Sequence, residues 1–442
     1  MTTIYSARWV LPDSSTLIEH GAVAVDGSRI AGVGSASEMA ARFPDAHVES
    51  FGQSLVLPGL INTHTHLELT ALRGYLENEE SDFFAWLRKL TLARLERMTA
   101  DDIRVSATWG ACEAVRAGIT CVGDASDSAM MSMLALPDVG LRGVVFQESF
   151  GPDPRLVDEN FEKLKRKVEQ LREVESGLVQ VGVSPHAPYT VCRAQLELIA
   201  EFAMSEQLPL MMHAAESEAE ELFLRDGTGL FGDGLAKRGI EWTPPRTSTV
   251  QYLKQTGILE TGPLLAHCIR VDDVDIETLK KSGAKVAHCP KSNAKLGHGR
   301  APLAKFLDAG LTVGLGSDSV ASNNTCDIIE EARFAFLLAR NPSLTAIDML
   351  VAATSSGAQC LGLEERIGVL REGAQADVVV VGLDGAHQLP VYDPVTALIF
   401  SSSGRDVVLT VIAGREVYRD RRVIGVDEER LKARINEIAQ KL

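Results

Sequence analysis

Eight apolar runs rich in β-branched residues, separated by stretches of helical character, constrain this chain more than any other feature. They are SLVLPGLINTH, ITCVGD, LRGVVFQE, LVQVGVSPHA, LPLMMHAA, PLLAHC, AKVAHCP and LTVGLGSD. Runs that stay apolar instead of alternating are strands covered on both faces, the condition of a parallel sheet. Eight of them alternating with helices predict an α/β fold, a (β/α)8 TIM-like barrel over residues 56–362. The two ends differ in texture. Residues 1–55 and 363–442 carry short alternating strands punctuated by Gly, Asp and Ser, as in GAVAVDGSRIAGVG and DVVLTVIAGREVY. They predict one small β-sandwich domain built from both ends, closed by the amphipathic helix LKARINEIAQKL. Inside the barrel, a Ser81/Asp82 cap opens a helix through FFAWLRKLTLARLE. A second helix starts at Thr99, with Asp102 three residues on, and stops at Gly118.

Composition narrows the function classes. Of 442 residues, 45% are hydrophobic and 24% charged, a balance that supports a large core. Lys and Arg total 44 against 60 for Asp and Glu, a formal charge of -16, with no basic run. Nucleic acid and anionic membrane are poor partners for such a surface. No run of about 18 apolar residues is present to span a bilayer. The stretch MTTIYSARWVLPDSS lacks the basic, apolar and small-residue order of a signal peptide. Seven scattered cysteines without a CxxC pair read as reduced thiols, and the expectation is a cytoplasmic protein.

Polar residues sit where a barrel does chemistry. Five of the runs end in His or Asp (His64 and His66, His213, His267, His288, Asp318), and the fourth ends at His186. Strand C-termini all open on one mouth, where barrel enzymes hold their active sites. His64 and His66 lie two apart on an extended segment and face the same side, so both imidazoles can meet one ion. Neutral imidazole suits Zn²⁺ and Fe²⁺. Asp318 finishes an apolar strand, and a bare carboxylate there is expensive unless a cation or catalytic water meets it. Glu216 begins the turn above His213, whereas Glu218, Glu220 and Glu221 read as the solvated face of an acidic helix.

The motifs PGLINTHTH, SPHAPYT, HAAE, LLAHC, VAHCPKSNAKLG and GSDSVASNN together resemble the amidohydrolase superfamily. More narrowly they are similar to its branch of cyclic-amidine and adenosine-type deaminases and triazine hydrolases. GVLREGAQADVVVV is similar to the family's G-x-L-x-x-G-x-x-A-D signature in the returning β segment. The resemblance implies metal ligands at His64, His66, His213 and Asp318, with catalytic work by Glu216, His267 and Asp318. It implies one divalent ion, Zn²⁺ first and Fe²⁺ second, because the Lys that bridges two metals at strand four is replaced by SPHAPYT. A bound ion lowers the pKa of its water towards about 7. Asp318 would take that water's proton, His267 would hold the hydroxide, and Glu216 would protonate the ring nitrogen beside the attacked carbon. Asp318 would then pass its proton to departing ammonia.

His186 resembles the family's substrate-contacting strand-four histidine. Trp86 lies where a ring covers the substrate or packs an apolar helix face, and Glu148 and Arg142 bracket strand three, where a carboxylate can hold ribose hydroxyls. His288, followed by Pro290 and Asn293, holds the shape of the mouth or contacts substrate. The long connection between His213 and His267, with a lid over 226–246, resembles the aminodeoxyfutalosine deaminase branch. The implied reaction releases ammonia from an adenine nucleoside such as 6-amino-6-deoxyfutalosine. Adenosine, methylthioadenosine and S-adenosylhomocysteine deaminases, and triazine hydrolases, are the alternatives on the same ligand set. The expected partner is a small-molecule substrate, and relatives of this kind are commonly homo-oligomers, dimers or larger. A scaffold that had lost catalysis would have lost ligands first, and His64, His66, His213, Glu216, His267 and Asp318 are all intact. A dinucleotide site is excluded, because no GxGxxG follows a strand and opens a helix.

Overall fold

The computed structural model describes residues 2–80 and 82–442, so Ser81 of the expected Ser81/Asp82 cap lies outside the described residues. Eight parallel strands follow in chain order: Leu60–Thr65, Ile119–Ser126, Arg142–Ser149, Val179–Pro185, Met211–Ala214, Leu264–His267, Lys285–His288 and Val313–Leu315. Regular ladders join the first four and the last four. Parallel bridges complete the ring: Val183 with Leu210 links strands four and five, and Thr65 with Asp318 links one and eight. The His213 N–H donates to the His186 carbonyl at 3.0 Å, and the Asp318 N–H donates to the His64 carbonyl at 2.9 Å. The expected (β/α)8 barrel is thus closed, with single bridges instead of full ladders at two seams. At the seam between strands eight and one, a Cβ on Gly316 would stand 2.9 Å from the Cβ of His64. Only a glycine lets the two backbones come so close. Ile61, Val144, Phe146, Met211 and Leu264 fill the interior below the mouth.

The first apolar run divides at Gly59 instead of forming one strand. Ser54–Pro58 pairs antiparallel with Val378–Gly382, while Leu60–Thr65 turns into the barrel. A Cβ at Gly59 would lie 2.0 Å from the Thr120 hydroxyl, so the turn has room for no side chain. The nine-stranded terminal sheet therefore draws strands from 3–58 and 378–423. Its two halves face one another across a shared core of Tyr5, Val23, Val25, Val378, Val380 and Leu409. Both ends of the chain build it, as expected.

Local signals at the helix ends hold as well. Asp82 accepts the N–H groups of Phe84 and Ala85 at 3.1 Å each and starts Phe83–Leu92. Thr99 and Asp102 form a reciprocal capping box ahead of Ala100–Arg116, and Gly118 follows at φ 75°. The terminal helix Glu428–Lys441 brings Ile438 into a cluster with Leu72, Trp86 and Ile103. The long connection folds into Glu218–Asp226, Gly229–Lys237 and Thr249–Gln255. Trp242 stacks on Phe223 at 4.3 Å between ring centroids and donates its indole N–H to the Phe223 carbonyl at 3.2 Å.

Arg142 corrects one expectation. It begins the third barrel strand, at the end opposite the mouth, and does not reach substrate. Its Nε and Nη2 donate to the two oxygens of Asp377 at 2.9 and 3.0 Å, and both side chains are 2% exposed. Asp377 closes the G-x-L-x-x-G-x-x-A-D signature and also accepts the Ala413 N–H at 2.8 Å. The pair therefore clamps the barrel floor to the terminal sheet. Replacing Arg142 by Met would leave a buried carboxylate without its cation, a cost of about 3–5 kcal/mol. Thermal denaturation is expected to show a clearly lowered midpoint for Arg142→Met. A midpoint equal to that of the parent chain would show that the clamp contributes nothing to stability.

Candidate metal centre and active site

Three imidazoles and a carboxylate converge at the mouth. The His66 and His213 Nε2 atoms are 3.2 Å apart, and Asp318 Oδ1 lies 3.5 Å from His64 Nε2 and 3.6 Å from His66 Nε2. His64, His66 and His213 each bring a ligand atom within 4.8 Å of the others. Their remaining ring nitrogens are engaged: His213 Nδ1 meets the His186 carbonyl at 2.9 Å, and His64 Nδ1 lies 3.1 Å from the Met211 sulfur. His66 hydrogen-bonds the backbone of Ala125. His64 Nε2 is buried with no hydrogen-bond partner. Burial pulls all three imidazole pKa values down, His64 to about 4, so the rings are neutral at physiological pH. Neutral nitrogens facing one another without a donor between them fit a divalent cation. Burial works against the Asp318 carboxylate, yet His64, His267 and His66 hold its pKa well below the ordinary value.

Each catalytic candidate has a support that holds it. Ser292 and Ser322 donate to Asp318 Oδ2 at 2.5 and 2.9 Å, leaving Oδ1 to the histidines. His267 Nδ1 donates to Asn293 Oδ1 at 2.8 Å, and its Nε2 lies 3.6 Å from Glu216 Oε1. Burial pulls the His267 pKa down, but the carboxylates of Glu216 and Asp318 outweigh it and the net shift is upward. His267 and Asp318 hold φ values of 73° and 55°. Non-glycine residues rarely adopt that left-handed region, and such strain concentrates at working sites. Glu220 overturns its reading as a solvated residue. It is wholly buried, and its oxygens accept the N–H groups of Ala215 at 2.8 Å and Glu216 at 3.0 Å, with the Thr249 hydroxyl at 2.7 Å. It fixes the turn that carries Glu216. An acidic run such as ESEAEE offers no sign of which member turns inward.

A cavity of about 750 Å³ opens over these groups. His66, His213, Glu216, His267 and Asp318 form its floor, and Phe83, Phe84, Trp86, Phe150, Tyr189 and Phe231 supply apolar walls. Phe231 and Leu235 come from the long connection, so that segment walls the cavity as the expectation of a lid over 226–246 implied. Trp86 and His186 both line it. The His186 ring stacks on Phe150 at 4.6 Å, and its Nδ1 meets the Thr190 hydroxyl at 2.9 Å. Glu148 also lines the cavity, with Oε1 buried and unpartnered. Burial, then the nearby Glu68, drive its pKa well up against the pull of Arg94. Glu68 and Asp127, both on the cavity wall, pair with Arg94 at 3.2 and 3.0 Å. Sequence reasoning did not find this network, whose members sit at unrelated positions in helices and loops.

His288 does not join them. It ends strand seven, and its ring lies in a separate small cleft with Pro290, Asn293 and Leu303, behind His267. The helix Pro290–Lys295 begins two residues after it.

The model of the Amidohydrolase family matches residues 55–417, and a bacterial imidazolonepropionase-like composite domain matches 21–46. A 5-methylthioadenosine/S-adenosylhomocysteine deaminase of Desulforamulus reducens is 32% identical over 432 residues, covering 96% of this chain and 95% of that protein. Among solved structures, an adenosine deaminase from Xanthomonas campestris with bound zinc superposes with a TM-score of 0.89 at 27% identity, covering 99% of this chain and 98% of that one. Helicobacter pylori aminofutalosine deaminase in complex with methylthio-coformycin shares the fold, with a TM-score of 0.81 at 22% identity over 94% of this chain and 100% of that one. A family model that spans most of the length, and a relative this similar from end to end, show that the chain belongs to the amidohydrolase family.

Proposed function

We infer that the chain is a deaminase that hydrolyses the exocyclic amino group of adenine nucleosides modified at the 5′ position. One observation carries this reading: His64, His66, His213 and Asp318 converge beside Glu216 at the foot of an aromatic-walled cavity. The deaminase names of the relatives support it. The cavity lies within the range of small-molecule sites, about 300–1,000 Å³. Methylthioadenosine, S-adenosylhomocysteine and 6-amino-6-deoxyfutalosine all combine adenine and ribose with a 5′ substituent, and the apolar walls suit such a group. Seven free, buried cysteines support a reducing, cytoplasmic setting. Among the described residues, no helix is long and apolar enough to cross a membrane.

The donor set suits one Zn²⁺ held by His64, His66, His213 and Asp318. When bound, such an ion activates water as a nucleophile near neutral pH. Asp318 is placed to accept the proton of the attacking water, because its Oδ2 is committed to Ser292 and Ser322 and its Oδ1 faces the site. Its depressed pKa keeps it ionised for that task. Glu216 gives its proton to the ring nitrogen beside the attacked carbon, which removes charge from the ring as the carbon becomes tetrahedral. His267, tied to Asn293, orients the attacking oxygen. Ammonia leaves with the proton that Asp318 returns, and the second proton of the water, left on the new hydroxyl, passes back to Glu216 as the carbonyl forms. His186 and Trp86 pack against the base, and the Glu148 carboxyl meets the sugar hydroxyls.

Ammonia release across adenosine, 5′-deoxyadenosine, methylthioadenosine, 6-amino-6-deoxyfutalosine, guanine, cytosine and chlorotriazines tests the assignment. Turnover is expected with 5′-modified adenine nucleosides, and chloride or alkylamine release from a triazine in its place would overturn it. Glu216→Gln and Asp318→Asn are each expected to lower kcat by about 10²–10⁴-fold without unfolding the chain. Near-parent turnover in either variant would remove that residue from the mechanism. Acid should destabilise the metal-free chain in a defined window. His64 takes a proton near pH 4 when folded and near 6.5 when unfolded, so the unfolded state binds more protons between those values. Stability is expected to fall as pH drops from 6.5 to about 4, and a flat denaturation midpoint over that range would contradict the burial of His64 as a neutral ring.

A further inference from the structure

Glu216 has a neighbour that the reaction above leaves idle. His298 follows the helix Pro290–Lys295, and its Nε2 lies 3.7 Å from Glu216 Oε1. That nitrogen is buried and has no hydrogen-bond partner. His267 Nε2 approaches the same oxygen at 3.6 Å, so two imidazoles flank Oε1. They are not equivalent. His267 is tied to Asn293 Oδ1 through Nδ1 and lines the cavity, where its Nε2 is assigned to the attacking oxygen. His298 carries no such commitment at Nε2.

The rest of its surroundings fit a support and not a substrate contact. Glu216 lines the cavity and His298 does not. The His298 ring meets Phe83 edge-on, 4.5 Å between centroids at 86°. Its backbone N–H donates to the Asn293 carbonyl at 3.0 Å, which ties it to the residue that orients His267. Asn293 thus anchors both rings that face Oε1. We propose that His298 is a positioning residue whose Nε2–H closes onto Glu216 Oε1 and fixes how the carboxyl meets the ring nitrogen of the substrate. The present separation exceeds a hydrogen bond, and such contacts commonly tighten only when the site is occupied. Burial lowers the His298 pKa against the opposing pull of Glu216, which keeps the ring neutral with one N–H to give.

The role of Glu216 in this proposal rests on the deaminase reading, so the test has two arms. In the metal-loaded full chain, His298→Leu is expected to lower kcat by about 10- to 100-fold, the size of one lost hydrogen bond to the carboxylate that Glu216 becomes as its proton leaves, with KM changed by less than about threefold. His298→Gln places an amide N–H near the same oxygen and is expected to recover kcat to within about fivefold of the parent. A His298→Leu kcat within about threefold of the parent, or a His298→Gln as impaired as His298→Leu, would overturn the proposal. The second arm needs no turnover. In ¹⁵N-histidine NMR of the metal-free chain, the His298 pKa is expected to fall in Glu216→Gln, because a facing negative charge has been removed. An unchanged His298 titration would overturn the contact. If the parent chain deaminates none of the nucleosides, the deaminase reading fails, and the NMR arm alone decides whether His298 and Glu216 are coupled. The same arm decides if His298→Leu does not fold.

Discussion

The closing seam between the first and eighth barrel strands is the constraint on which the site depends. One backbone hydrogen bond there, from the Asp318 N–H to the His64 carbonyl, sets a strand-eight carboxylate beside a strand-one imidazole. Gly316 makes the approach sterically possible, and the Thr65–Asp318 bridge fixes its register. Groups far apart in the chain then share one mouth, and their buried, neutral nitrogens are costly to leave without a cation. Closing that seam is what brings the Asp318 carboxylate up to the imidazoles.

Around that seam the structure spends stability on aim. His267 and Asp318 hold left-handed backbone conformations that direct their side chains inward. Their second atoms are tied down, by Asn293 for His267 and by Ser292 and Ser322 for Asp318. Glu220 does the same for Glu216 through the backbone. The helix Pro290–Lys295 alone supplies Ser292 and Asn293 and leads to His298, so one short segment holds three of the working groups in place.

What could be read in the sequence follows from which forces leave a periodic or positional trace. Continuous apolar strands, the returning β texture and the Thr99–Asp102 box are local patterns, and the structure repeats them. His64, His66, His213, His267 and Asp318 were visible because they end strands, and strand ends share a mouth. Arg142 sits at the start of its strand, where the same rule predicts the floor, and placing it at the substrate disregarded that rule. His288 ends a strand as the others do, but it lines a separate cleft with Pro290 and Asn293. Glu220 and His298 had no legible mark. Burial of one glutamate in an acidic run, or of a histidine between two glycines, is decided by packing from segments distant in sequence.

The split terminal sheet bears on how the molecule is made. Ser54–Pro58 emerges early from the ribosome, yet its partner Val378–Gly382 arrives only after the whole barrel between them. Until then Leu55, Val56 and Leu57, all fully buried in the finished protein, are paired along one edge only, by Trp9 and Val10. The nascent chain carries a sticky, unpaired edge through most of its synthesis, the kind of intermediate that chaperones bind and that aggregates at high concentration.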